Sequence, residues 1–136
     1  MRKSYIVSAK RTAIGSFLGG LATVKPKDMG SAVVKALLED ANVAPENVDE
    51  VICGNVLGAG LGQNIGRTIA LEAGIPETVC AHSVNMVCGS GLRTVMEAVM
   101  SIQCGFNDIV VAGGVESMSG APYLIPANTR TGNKMG

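Results

Sequence analysis

The feature that most constrains the fold is a regular alternation of short apolar runs with amphipathic stretches. Four apolar runs occupy residues 4–9, 50–56, 78–84 and 108–114, and segments with apolar residues at three- to four-residue spacing separate them. Short continuous apolar runs are typical of buried strands, and the intervening spacing is typical of helices. Strands that alternate with helices pair in parallel through right-handed crossovers. The sequence therefore predicts an α/β fold with a mostly parallel sheet flanked by helices.

Three helices are predicted, at residues 26–41, 63–73 and 90–103. Pro26 stands at the start of the first, and Gly74 is placed to end the second. The third carries so broad an apolar surface that we expect it to be buried between layers; its apolar residues are Leu92, Val95, Met96, Val99, Met100 and Ile102. The glycine-broken stretch 10–25 is expected to be a loop.

Charge limits the kinds of partner that this chain can take. The 11 basic and 11 acidic residues cancel, and no basic stripe with interleaved aromatics appears. This pattern indicates small-molecule substrates, with no nucleic acid and no membrane as partner. The basic residues Arg2 and Lys3 precede an apolar run too short for a signal peptide, which predicts a cytoplasmic protein. The polar end, residues 127–136, has no helix or strand pattern and resembles a cut in a longer chain.

The cysteine pattern points away from disulfides and metals. Cys53, Cys80, Cys88 and Cys104 are widely spaced and form no CxxC pair. A disulfide framework or zinc site is therefore not expected, and no other metal-binding cluster appears. We interpret Cys53, Cys80 and Cys104 as small buried hydrophobes.

Cys88 lies where the third apolar run gives way to the third helix. A thiol at the first turn of a helix sees unpaired backbone N–H groups and the positive end of the helix dipole, which favour the thiolate. Gly89 and Gly91 allow close approach of another backbone or a substrate, and Ser90 can cap the helix. Cys88 is a candidate nucleophile, although on these grounds alone a core cysteine remains an equal alternative.

The only histidine, His82, is a poor partner for this thiol. Six residues of mostly extended chain separate it from Cys88, and at roughly 3.3 Å per residue the two can lie up to about 20 Å apart. Cys–His catalysis needs hydrogen-bond contact. We therefore expect His82 to be a strand histidine with its polar atoms satisfied.

A glycine-rich turn at residues 58–66 raises a second possible function, dinucleotide binding. Its GxGxxxG spacing departs from GxGxxG, it follows the second strand, and no acidic residue stands at the distance required for a ribose. A structural turn is the favoured interpretation. Arg67 and Arg93 lie on predicted helices and could contact phosphate, but solvated or paired arginines are the commoner case.

Four segments together resemble the thiolase family, and in particular its acetyl-CoA acetyltransferase branch. They are IVSAKRTAIGSF at 6–17, GLGQN at 60–64, VNMVCGSGL at 84–92 and GGVESMS at 113–119, in the order found in that family. The resemblance implies an enzyme that condenses two acetyl-CoA molecules into acetoacetyl-CoA, and runs the reverse thiolysis, through an acyl-cysteine intermediate. It makes Cys88 the acyl carrier, with its own backbone N–H as one oxyanion donor. Acetyl-CoA and CoA are then substrate and product, and no resident cofactor is expected.

The same resemblance implies that parts of the catalytic machinery lie elsewhere. In thiolases the activating histidine, the acid/base cysteine and an asparagine-held water come from the carboxyl-terminal half. Residues 1–119 then correspond to an amino-terminal domain lacking its last strand, and 120–136 to the start of a loop region that joins subunits of a homodimer or homotetramer. We expect the 136 residues alone to be inactive. A ketoacyl synthase-like condensing enzyme and a non-catalytic dinucleotide-binding or structural module remain alternatives.

Overall fold

A computed structural model describes residues 2–132 of the chain. Its elements follow in the order α1 (Pro26–Ala41), β1 (Glu50–Gly54), α2 (Ile65–Glu72), β2 (Cys80–Val84), α3 (Ser90–Cys104) and β3 (Val110–Gly114). Short 3₁₀ helices lie at Pro45–Asn47 and Ala127–Thr131. The predicted alternation of helices and strands is confirmed from residue 26 onward.

The three strands form one fully parallel sheet in the order β2-β1-β3. Gly54 pairs with Val84 on one side and with Gly114 on the other. The last residues of the three strands are therefore level with one another. Chain segments that leave the sheet at this edge begin side by side.

Helices cover both faces of the sheet. On one face α2 packs on β1 and β2, and α1 packs on α2; on the other face α3 packs on β1 and β3. The core lies mainly on the α1–α2 face, and it includes Val34, Leu38, Val51, Ile69 and Val111. Burial of an aliphatic side chain of this size contributes about 1.5–3 kcal/mol. The α/β prediction with helices flanking a parallel sheet is thus confirmed.

The predicted first strand is wrong. Residues 4–9 form no strand, and Tyr5, Ile6 and Val7 are each about three-quarters exposed. The segment is held instead by side chains, since Ser8 and Lys10 both bond to Asp40 at the end of α1. An apolar run becomes a strand only where a sheet edge pairs with its backbone, and no described residue provides such pairing here.

The prediction that α3 is buried between layers is also wrong for the described chain. Thr94 and Ala98 are buried against the sheet, whereas Leu92 is 70% exposed and Met96 and Met100 are nearly half exposed. The apolar surface is as broad as the sequence indicates. Within residues 2–132, however, no element covers its outer side.

Strand ends differ by a few residues from those predicted, and side chains explain why. β3 begins at Val110 because the amides of Asp108 and Ile109 both donate to the Asp49 carboxylate. β1 ends at Gly54 rather than residue 56 because the Val56 amide donates to a carboxylate instead of a neighbouring strand. Carboxylates that accept from backbone amides in place of a neighbouring strand move the end of a strand without changing the fold.

Candidate active site

The candidate site lies at the edge of the sheet where the three parallel strands end. The amide of Asn55, just after β1, donates to the Val84 carbonyl of β2 at 3.0 Å. The amide of Val115, just after β3, donates to the Gly54 carbonyl at 3.0 Å. The loops leaving the sheet are thus tied together at their first residues. In open parallel sheets this edge is where ligands bind.

Cys88 stands in a tight turn between β2 and α3. Val87 immediately before it has a φ of +51°. A β-branched side chain in the left-handed region is strained, at a cost on the order of 1–3 kcal/mol, and persists only where its surroundings impose it. The turn that displays Cys88 is therefore enforced by its surroundings, and Cys88 itself is exposed.

Ser90 and Asn85 hold this turn by polar contacts. The buried Ser90 hydroxyl donates to the Val87 carbonyl at 2.6 Å and accepts from the Met86 amide at 2.8 Å. The side-chain oxygen of Asn85 accepts from the Val87 amide at 3.0 Å. Every one of these bonds stays within six residues of chain, so the turn is largely specified by its own sequence.

The backbone amide of Cys88 is left without a partner among the described residues. The next two amides are occupied, since Gly89 donates to the Met86 carbonyl and Ser90 to the Val87 carbonyl, each at 3.1 Å. An exposed thiol and a free N–H therefore belong to the same residue at the beginning of α3. That pairing suits a thiol that receives an acyl group and an amide that binds the carbonyl oxygen.

Close backbone packing sets the start of α3 on the end of β1. A Cβ placed on Gly54 would lie 2.8 Å from the Ser90 carbonyl carbon and 2.9 Å from the Gly91 nitrogen. Neither atom can move without displacing the helix. Gly54 is therefore needed for the thiol-bearing turn to rest directly on the sheet.

The ring nitrogens of His82 contact two glutamates and not Cys88. Its Nδ1 lies 3.4 Å from Oε1 of Glu50, and its Nε2 lies 3.3 Å from Oε2 of Glu97. The hydrogen bond from Arg93 at 2.8 Å, aided by His82, holds the pKa of Glu97 below its usual range. The expectation of a strand histidine with satisfied polar atoms is confirmed.

The other cysteines are not alike. Cys53 is buried, and burial raises the pKa of its thiol to about 11. Cys80 and Cys104 are exposed, so their interpretation as buried hydrophobes is wrong. Cys80 opens the edge strand β2 and Cys104 closes α3, and terminal positions of elements are often left uncovered.

The glycine-rich turn does not offer a phosphate site at the start of α2. The amide of Gly66 donates to the Ser83 hydroxyl at 3.0 Å, and that of Arg67 donates to the Asn64 side chain at 3.1 Å. A Cβ on Gly66 would also lie 2.5 Å from the His82 carbonyl oxygen. Since its first amides are already bonded, this helix end is built to pack on β2.

Neither arginine singled out in the sequence is free for phosphate. Arg67 donates to the carbonyls of Val79 and Glu77 at 2.6 and 2.5 Å. Arg93 donates to the Glu97 carboxylate at 2.8 Å. Both therefore serve the packing of their own helices.

One polar residue that the sequence did not single out joins the strand-end loops. Glu116, two residues after β3, accepts from the side chain of Asn55 and from the amides of Val56 and Leu57, at 2.9–3.0 Å. The only sequence signal for it is an acidic residue two positions after a strand-end glycine pair. Such a residue was visible as part of a motif, but its partners lie about 60 positions away.

A cavity adjoins the strand-end loops but does not include Cys88. It measures about 450 Å³ and is lined by residues 10–17, α1, β1, β3 and the segment 113–119 that follows β3; Cys53 and Glu116 line it. The cavity therefore reaches the loop segment that carries Glu116 without reaching the thiol of Cys88. Among residues 2–132 no group of His, Cys, Asp and Glu is arranged to hold a metal ion. No helix in the same residues is long and apolar enough to cross a membrane.

Known proteins resemble this chain along nearly its whole length. Residues 4–136 match the family model described as "Thiolase, N-terminal domain". The "Acetyl-CoA acetyltransferase" of Escherichia coli (strain K12) is 53% identical over 136 residues, which is 100% of this chain and 34% of that protein. The "Acetyl-CoA acetyltransferase, cytosolic" of Mus musculus is 56% identical over 131 residues, 96% of this chain and 32% of that protein.

A solved structure shows the same fold. The "Acat5 thiolase from Ascaris suum in complex with coenzyme A" superimposes with a TM-score of 0.89 at 41% identity, and the match covers 90% of this chain and 32% of that chain. The chain thus spans about a third of the length of the relatives that it matches. On this similarity of sequence and of structure, the chain belongs to the thiolase family.

Proposed function

We propose that the protein is an acetyl-CoA acetyltransferase that condenses two acetyl-CoA molecules into acetoacetyl-CoA and catalyses the reverse thiolysis. The observation that carries the proposal is the enforced turn that exposes Cys88 and leaves its backbone amide unpaired. The names of the bacterial and mouse relatives support the choice of substrate. Membership of the thiolase family favours this function over a ketoacyl synthase-like enzyme.

In the first half-reaction the Cys88 sulfur attacks the carbonyl carbon of acetyl-CoA. The new carbon–sulfur bond to Cys88 replaces the bond to CoA, which leaves as its thiol after taking a proton. The negative charge that develops on the carbonyl oxygen is stabilised by the Cys88 amide, which is free to donate to it. The acetyl group is now carried as a thioester on Cys88.

In the second half-reaction a second acetyl-CoA loses a proton from its methyl group, and the resulting carbanion attacks the acetyl carbonyl on Cys88. A carbon–carbon bond forms, the bond to the Cys88 sulfur breaks, and acetoacetyl-CoA is released. The activating histidine and the acid/base cysteine belong, in this proposal, to a carboxyl-terminal part of the protein. His82 contacts Glu50 and Glu97, and in this proposal it is not the activating histidine.

The proposal extends to organisation and location. Residues 1–119 form the amino-terminal domain, whose last strand comes from later in the protein, and 120–136 begin a loop region that contacts another subunit of a homodimer or homotetramer. CoA thioesters are substrates, and no resident cofactor is required. The cytosolic naming of the mouse relative supports placement in the cytosol.

The deciding experiment is peptide mass spectrometry of the complete protein after exposure to acetyl-CoA. We expect one acetyl group on Cys88, and we expect Cys88→Ala to abolish both the acetyl adduct and turnover. Cys80→Ala removes another exposed thiol and should leave both unchanged. An adduct at another residue, or full turnover by Cys88→Ala, contradicts the proposal.

A further inference from the structure

A single carboxylate joins the loops that follow β1 and β3. Oε1 of Glu116 accepts from the Asn55 side chain at 2.9 Å and from the Leu57 amide at 3.0 Å, and Oε2 accepts from the Val56 amide at 2.9 Å. A glutamate suits three N–H donors because both its oxygens accept and neither donates. Charge-assisted bonds of this kind are stronger than those between neutral groups.

The loop held by Glu116 in turn holds the end of β2. The Asn55 amide donates to the Val84 carbonyl at 3.0 Å, and the Asn85 side-chain nitrogen approaches the Val56 carbonyl at 3.4 Å. The second contact is long, and the first is of ordinary length. Glu116 thus restrains the two residues at which the Cys88 turn begins.

From Asn85 the restraint reaches the strained residue beside the thiol. The side-chain oxygen of Asn85 accepts from the Val87 amide at 3.0 Å, and Val87 has a φ of +51°. A β-branched residue in the left-handed region returns to a more favourable backbone conformation unless contacts with neighbouring residues prevent it. Ser90 restrains the turn from the helix side, and Asn85 restrains it from the strand side.

We infer that Glu116 is a positioning residue for Cys88, acting through Asn55, Val56 and Asn85. Glu116 does not itself contact the reacting atoms. It fixes the loop after β1, and Asn85 contacts that loop at Val56 while its side chain also binds the Val87 amide. The inference rests on the proposed role of Cys88 as the acyl carrier. Small displacements at a reacting group have large effects on rate, since about 1 Å can cost a hundredfold.

The test is Glu116→Gln in the complete protein, because glutamine keeps the size of the side chain but turns an N–H₂ toward one of the three donors. We expect kcat for acetoacetyl-CoA thiolysis to fall by about tenfold or more with little change in KM. The iodoacetamide reaction rate should shift at Cys88 but not at Cys80 or Cys104. The matched control is Glu46→Gln, an exposed carboxylate on the 3₁₀ helix at the opposite end of β1, which should leave all of these values unchanged.

A double-mutant cycle with Asn85→Asp separates positioning from general destabilisation. Aspartate keeps the acceptor for Val87 and loses the donor to Val56. We expect the two substitutions to be non-additive in kcat and in Cys88 alkylation, because they interrupt one chain of contacts. Additive effects, an unchanged kcat, or equal alkylation changes at all exposed cysteines would overturn the inference.

If Glu116→Gln does not fold, Asn85→Asp alone decides, and normal thiolysis and alkylation by that variant overturn the inference. If the unmodified protein acquires no acetyl group from acetyl-CoA, the proposed function fails. The alkylation cycle at Cys88 needs no acyl-CoA and still reports on the positioning.

Discussion

The hydroxyl of Ser90 donates a 2.6 Å hydrogen bond back to the carbonyl oxygen of Val87. The Ser90 hydroxyl oxygen also accepts from the Met86 amide at 2.8 Å, so one small side chain contacts the backbone on both sides of the strained residue. Ser90 is 4% exposed.

Ser90→Ala is expected to destabilise the protein by about 1–3 kcal/mol, because it removes two hydrogen bonds worth about 0.5–1.5 kcal/mol each and leaves the Met86 amide without its partner. Urea unfolding followed by circular dichroism measures this loss. Ser16→Ala, in an exposed loop where the serine hydroxyl makes no hydrogen bond within residues 2–132, should be neutral. Equal midpoints for the two variants would show that Ser90 does not support the turn.

Gly54→Ala is expected to cost about 1–3 kcal/mol by overpacking, since the added methyl group meets backbone atoms of Ser90 and Gly91. It should also lower Cys88 acetylation, because the start of α3 must move. Gly113→Ala is the matched control on the neighbouring strand β3, where an added Cβ has nothing within 4 Å. If the Gly54→Ala protein is as stable and as readily acetylated as the Gly113→Ala protein, Gly54 is not needed for the packing of α3 on β1.

Cys53 should resist thiol reagents at neutral and mildly alkaline pH. Burial raises the pKa of its thiol from 9.0 to about 11, and only the thiolate is nucleophilic. A rise of two pKa units reduces the thiolate fraction about a hundredfold. Iodoacetamide labelling at about pH 8, followed by peptide mapping, should modify the exposed Cys80 and Cys104 long before Cys53. Labelling of Cys53 at a comparable rate would contradict its burial in the native protein.

The Glu97 carboxylate should contribute to stability in a pH-dependent way. The hydrogen bond from Arg93 lowers the pKa of Glu97 below its usual value of 4.5. A carboxyl with a lowered pKa stabilises the fold above its unfolded pKa and loses that contribution as the pH falls through its folded pKa. The stability difference between the unmodified protein and Glu97→Gln, expected to be about 0.5 kcal/mol near pH 5, should therefore shrink as the pH falls below 4.5.

Urea titrations at a series of pH values measure this difference. The control is Glu39→Gln on α1, an exposed carboxylate that accepts no side-chain hydrogen bond within residues 2–132. Its stability difference should stay near zero over the same pH range. A Glu97→Gln difference that grows as the solution is acidified would reverse the sign and refute the assigned pairing.

Much of the fold follows from local sequence. The run from Pro26 to Ala41, the glycine after α2 and the apolar strands each specify their element through spacing and backbone preference, and their predicted positions are within a few residues of those observed. The first apolar run fails for a physical reason. A strand depends on a partner edge, and residues 4–9 have none in the described chain.

The sequence by itself determined the parallel α/β architecture, the position of Cys88 at a strand–helix junction and the unsuitability of His82 as its partner. These depend on periodicity and on short separations along the chain. Only the tertiary structure decided that Gly54 supports the start of α3, that Asn85 reaches Val56 and that Glu116 joins the strand-end loops. Those contacts connect residues about 30 to 60 positions apart, and no local pattern encodes which distant backbone will arrive beside a given side chain.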